Sequence, residues 1–136
     1  MIRNIFRLIL AWLPPILLMA IIFFLSSQQN ISVSDEMSVN FSFFKTLHIV
    51  EYALLTFLFF RALVLTKSLL DSYAVSLSAS MSLIYGISDE IHQTFVPSRA
   101  GHPRDVLIDS IGILLMALFL YKNRVRIKKL LRYTTF

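Results

Sequence analysis

Between Tyr85 and Asp109 the chain reads YGISDEIHQTFVPSRAGHPRDVLID, which crowds Asp89, Glu90, Asp105 and Asp109 together with His92, His102, Arg99 and Arg104. A second concentration, KTLHIVEY, sets Lys45, His48, Glu51 and Tyr52 close together. Imidazoles beside carboxylates move protons near neutral pH. Arginines grip phosphate or carboxylate with two parallel hydrogen bonds. His48-x-x-Glu51 and Asp89-x-x-His92 are also ligand pairs one helical turn apart, the spacing used in metal-binding bundles. The chain has no cysteine, which excludes disulfides, thiolate nucleophiles and cysteine-ligated metals.

These residues stand in a chain that is otherwise greasy. Of its 136 residues 57% are apolar and only 15% charged, a balance that a water-soluble domain of this size does not show. Apolar stretches of helical length recur, so the chain is expected to be one all-α domain, residues 1–136, with four transmembrane helices and a polar outer loop before the last. The spans are expected at about 5–25, 45–66, 72–88 and 105–121, with a basic tail over 122–136. The first span has a basic start at Arg3 and Arg7, as a signal peptide would. Its apolar region is long, however, and no small-x-small cleavage pattern precedes SSQQN, so it reads as an uncleaved helix. Pro14 and Pro15 are expected to kink it. The third span, SYAVSLSASMSLIYGIS, carries small residues suited to close helix contact rather than to lipid.

The basic residues set direction. Arg3 and Arg7 precede span one, Lys67 lies between spans two and three, and Lys122, Arg124, Arg126, Lys128, Lys129 and Arg132 follow span four. The positive-inside rule then places both termini in the cytoplasm and both polar connections outside, in a multi-pass protein of the cell membrane. The net charge of +5 thus reads as orientation and headgroup contact, with no nucleic-acid partner. Arg61 lies near the inner end of span two, where snorkelling accounts for it.

At 100° per residue the polar groups fall on single faces. Lys45, His48, Glu51 and Tyr52 share an arc of about 120°. Ser78, Ser82, Tyr85, Asp89, His92 and Gln93 share one of about 100° if the third helix continues past Ser88. Asp105, Asp109 and Gly112 share a third. All three faces lie toward the outer ends of their helices, so packing them together is expected to form one outward-open site. Candidate catalytic groups are His48, Glu51, Asp89, His92 and Asp105. Candidate substrate-binding groups are Lys45, Tyr52, Gln93, Arg99, Arg104 and Asp109. Glu51 and Asp109 are too deep and too short to snorkel, so they need partners; the simpler reading is that either one pins helices together. The loop FVPSRAGHPRD is stiffened by Pro97 and Pro103 and allowed to reverse by Gly101, with Arg99 and Arg104 turned to the carboxylates. An ordinary exposed turn with two solvated arginines is the competing reading.

KTLHIVEYALLTFL, followed by SDEIHQTFVPSRAGHPRDVLIDSIG and taken with FFLSSQQ after span one, resembles the VanZ-like family of small bacterial membrane proteins. The likeness covers most of the chain. Lys45, His48, Glu51, Tyr52, Ser88, Asp89, Glu90, His92, Gln93, Phe95, Arg99, Asp105 and Gly112 all stand where that family has them. The family commonly carries asparagine at the position of Asp109 and glycine at that of Thr56. The resemblance implies a link with resistance to teicoplanin-type glycopeptides, which act on cell-wall precursors outside the membrane. It implies no particular reaction.

Three readings of the site stand open beside the lipid bilayer as the general partner. The first is an enzyme acting on an anionic envelope lipid or lipid-linked cell-wall precursor. In it the arginines and Lys45 hold phosphate, while His48 or His92 moves protons, oriented by Glu51 or Asp89. The second is a divalent-metal site, the ion unspecified. The third is a module that binds the glycopeptide, the precursor or a partner membrane protein without chemistry. Transport ranks behind these, since transporter sites sit near the midplane.

Overall fold

The computed structural model describes residues 2–28, 36–66, 71–97, 99 and 101–135. Lys67 and the turn around it lie outside the described residues. Four helices follow in order: α1 (Ile2–Ser26), α2 (Met37–Thr66), α3 (Asp71–Gln93) and α4 (Pro103–Thr135). The protein is an all-α bundle of four helices.

Each helix is longer than its expected span, for local reasons. Nothing between Met37 and Lys45 breaks a helix, so α2 starts at Met37. α3 does run past Ser88, to Gln93, which is the condition the polar stripe required. Pro103 opens α4 at a position where its missing N–H and fixed φ cost nothing, and Asp105 in the first turn suits the positive end of the helix. The basic tail holds neither glycine nor proline, and α4 continues through it to Thr135.

Among the described residues, two helices are long and apolar enough to cross a membrane, over Ile5–Ser26 and Ser38–Thr66. The four expected spans are therefore met by four helices, of which α3 and α4 fall short of that measure. In α3 the cause is visible. Ser78, Ser82, Asp89, Glu90 and Gln93 lower its hydropathy, yet all are buried inside the bundle. Outward, the helices are apolar. Ile16 and Phe24 of α1, Val50 of α2, Ile84 and Ile91 of α3, and Leu107, Leu114 and Leu115 of α4 are all exposed. Buried carboxylates and amides on α3 and α4 beneath so many exposed large apolar side chains are the reverse of a soluble domain.

α2 is the central helix and packs on each of the other three, while α1 and α3 meet sparsely. One end of the bundle is filled by Phe60, Leu63, Val64, Ala74, Val75 and Leu120. A middle layer holds Ile22, Tyr52, Leu55, Phe59 and Ile113. The opposite end is polar.

α1 runs as continuous helix through Pro14 and Pro15. Each proline lacks the N–H that would bond the carbonyl four residues back, which leaves Leu10 and Ala11 with idle oxygens. Arg61 of α2 supplies both, its Nη1 donating to Leu10 O at 3.3 Å and to Ala11 O at 3.4 Å. Snorkelling, expected from the sequence, is thus not the main task of this guanidinium. Arg61→Ala is expected to loosen α1 from α2 at a cost of about 1 kcal/mol, read as a lowered melting temperature in detergent.

Candidate functional site at the polar end of the bundle

α2 and α4 run in the same direction and touch at Gly112. A Cβ added there would sit 2.9 Å from the Ile49 carbonyl carbon and closer still to its oxygen. This approach brings the polar faces of the two helices into rungs. Lys45 Nζ meets Asp105 Oδ2 at 2.6 Å, and one turn deeper His48 Nδ1 meets Asp109 Oδ1 at 3.0 Å. Tyr52, fully buried, lies below with its ring 6.3 Å from that of His48 and 6.3 Å from that of Tyr85. Tyr85 is itself fixed by donating to Met19 O at 2.6 Å.

Glu51 faces the same region and stands close enough to His48, Asp89 and Asp109 to feel their charges. Among the described residues no hydrogen bond holds its carboxylate. The sequence reading paired Glu51 with His48 and Asp89 with His92 as orienting groups. In the structure Asp109 holds His48, and Ser27 Oγ lies 3.0 Å from His92 Nε2.

A second set of contacts ties α1 to the end of α3. Ser26 Oγ donates to Asp89 Oδ1 at 2.7 Å. Gln93 Nε2 donates to Asp89 Oδ2 at 2.9 Å and to Glu90 Oε1 at 3.3 Å. The His92 ring stacks on Phe23 with centroids 4.2 Å apart. Arg99 donates from Nε to Gln28 O at 3.0 Å and from Nη2 to Leu25 O at 3.3 Å, so it closes the end of α1 rather than facing the carboxylates. Arg104 stays at the rim, its Nε 3.7 Å from Asp105 Oδ1 and its side chain well exposed. In the loop, Phe95 is exposed and Val96 buried.

The two sets join at Glu90, which sequence reasoning left out of the site. Its Oε2 accepts from the His102 backbone N–H at 3.0 Å. Gly101 lets the loop fold back this far, because a Cβ there would overlap the Glu90 carbonyl oxygen and stand 2.8 Å from Thr94 Cγ2. Ser26 and Ser27 were missed as well. Ser26 and Ser27 stood inside FFLSSQQ, and Glu90 follows Gly86 by one helical turn, Gly86 marking the point where α3 lies against Tyr52.

Lys45, His48, Glu51, Tyr52, Asp105 and Asp109 therefore gather between α2 and α4, and Asp89, His92, Gln93 and Arg99 between α1, α3 and the loop. Chemically, the first group combines a cation at the rim, a carboxylate-held imidazole below it, and a carboxylate that no hydrogen bond fixes. No curated protein and no solved structure matches the chain. The protein-family model VanZ/LLP1 matches residues 11–127. That range contains every helix-borne residue of both groups, the whole of the apolar span Ser38–Thr66 and most of the span Ile5–Ser26, and the chain belongs to the VanZ/LLP1 family.

Proposed function

We propose that the protein crosses the cell membrane four times as a single domain, with both termini in the cytoplasm. Its polar end then faces outward and handles an anionic, lipid-linked cell-wall component. The family's general link to glycopeptide resistance supports this reading, since such antibiotics act on cell-wall precursors outside the membrane. The large apolar side chains on the outer faces of α3 and α4 support four crossings, and Ser76 and Ser88, exposed beside them, donate their hydroxyls to the α3 carbonyls of Ser72 and Tyr85, which lowers the cost of meeting lipid. The basic residues at the start of α1 and the end of α4 support the orientation.

One observation carries the functional reading: Lys45–Asp105 and His48–Asp109 form a ladder that leads from the rim into an otherwise apolar interior. Lys45 and Arg104 suit an anionic headgroup at the mouth. Acid–base work belongs to the next depth, where Glu51 takes the proton and the His48–Asp109 pair sets the local charge. Arg99, His92, Asp89 and Gln93 support the mouth by holding α1 and the loop in place.

An alanine scan of Lys45, His48, Glu51, Asp89, His92, Arg99, Asp105 and Asp109 tests this, with teicoplanin susceptibility and membrane abundance read together. Near-total loss at Glu51 and His48 with normal abundance is the expected result. A graded loss spread over all eight positions fits a binding module without chemistry. The interhelical engagement of Asp89, His92 and Arg99 favours that second reading for its own part of the site. Unchanged susceptibility in every variant sinks both.

A further inference from the structure

Among the described residues, one ligand atom from each of His48, Glu90 and Asp109 lies within 4.8 Å of the others. Asp109 is 1% exposed and Glu90 5%, so this is no solvated acidic patch. Donors around one ion at bond lengths of about 2.0–2.2 Å stand roughly 3–3.6 Å from one another. His48 Nδ1 and Asp109 Oδ1 are already at 3.0 Å, where an ion would take the place of the proton between them, and Glu90 would exchange its contact with Gln93 at 3.3 Å or with the His102 N–H at 3.0 Å to complete the set.

Two further observations point to a missing ligand. Among the described residues, Asp109 Oδ2 is buried without a hydrogen-bond partner, and so is the hydroxyl of Tyr52, which is 0% exposed. Both abut the same spot on α3, for a Cβ at Gly86 would lie 3.2 Å from Tyr52 Cε1 and 3.7 Å from Asp109 Oδ2. Idle buried acceptors of this kind are rare and call for an ion or a water. Charge gives the choice. Glu51, Asp89 and Glu90 each stand close enough to Asp109 to repel it, and among the described residues the only salt bridge to any of these four is from His48. A divalent cation relieves that repulsion, where a water does not.

We infer that His48, Glu90 and Asp109 form a binding site for one divalent transition ion. One imidazole and two carboxylates select the zinc and manganese class over calcium, which takes a larger set of oxygens. Three protein ligands leave room for an oxygen donor from outside, such as a phosphate. The site stands on the packing of α2, α3 and α4 and is independent of which substrate, if any, the protein handles.

The test uses the full chain purified in detergent, stripped with a chelator and titrated with Zn²⁺ and with Co²⁺ as a spectroscopic probe. One equivalent of saturable binding is expected, together with a rise in melting temperature. Asp109→Asn and Glu90→Gln are each expected to weaken binding by about tenfold or more. Asp71→Asn, at the other end of the bundle, is expected to bind as the parent does. X-ray absorption at the zinc edge of the unmodified protein is expected to show one imidazole with oxygen neighbours, and needs no variant to fold. Absence of saturable binding, binding as tight as the parent's by both variants, or a first shell with two imidazoles overturns the site.

Discussion

Gly112→Ala is expected to prevent the bundle from forming. The added methyl would overlap the backbone carbonyl of Ile49, with the carbonyl carbon at 2.9 Å and Cα at 3.1 Å. Backbone within a helix cannot turn aside as a side chain does, so α2 and α4 must separate. Overpacking of this kind costs more than about 3 kcal/mol, a large share of the roughly 5–15 kcal/mol that holds a domain together. The same movement would pull Lys45 from Asp105 and His48 from Asp109. Loss of monodisperse protein on size-exclusion in detergent, with low membrane abundance, is the readout. Gly86→Ala is the control, because its methyl would meet the Tyr52 ring edge at 3.2 Å, a side chain able to shift by a few tenths of an ångström. Equal behaviour of the two variants would mean that α2 and α4 are not in backbone contact at Gly112.

Asp109→Ala ranks second in expected effect. Asp109 is the deepest carboxylate of the ladder and the only recorded hydrogen-bonding partner of the His48 ring among the described residues. Its removal orphans a nitrogen in a half-buried imidazole and opens a void beside Tyr52 and Gly86. The cost is about 3 kcal/mol, between that of an unsatisfied buried donor and that of a broken buried pair. Asp109→Asn keeps an acceptor oxygen for His48 and nearly the same volume, so it is expected to retain most of that stability. The pair of variants separates packing from charge. Thermal melts of the chelator-stripped proteins in detergent should place the asparagine variant near the parent and the alanine variant well below it. Coincident melts for the two would remove Asp109 from the structural account of the polar end.

Much of this arrangement was legible in the residues. Lys45, His48 and Tyr52 recur at helical spacing, as do Asp105, Asp109 and Gly112, and each set has one face on which to be satisfied. That periodicity alone predicts that two polar stripes meet, and the rungs at Asp105 and Asp109 follow from it. Glu90 was not legible by the same route. It lies one step round from Asp89, and which of two adjacent carboxylates turns toward α2 depends on how α3 is rotated by its neighbours. The fold-back of the loop at Gly101 is equally non-local. Arg99 illustrates a contact of the opposite kind. Its charge suggested an anion, while the end of α1 offered carbonyl oxygens that no sequence pattern brings next to a residue so distant in the chain. The helices extend beyond the expected spans where the chain turns polar, because hydropathy measures contact with lipid and not hydrogen bonding along a backbone.

The guanidinium that spans Leu10 and Ala11 bears on the order of biogenesis. α1 emerges first and, alone in lipid, would carry two oxygens that its own prolines cannot serve. Those oxygens find a donor only when the segment bearing Arg61 arrives, so the first two helices are expected to settle as a hairpin before α3 and α4 close over the polar end. A variant in which both prolines are replaced by leucine would remove this dependence and let α1 insert on its own.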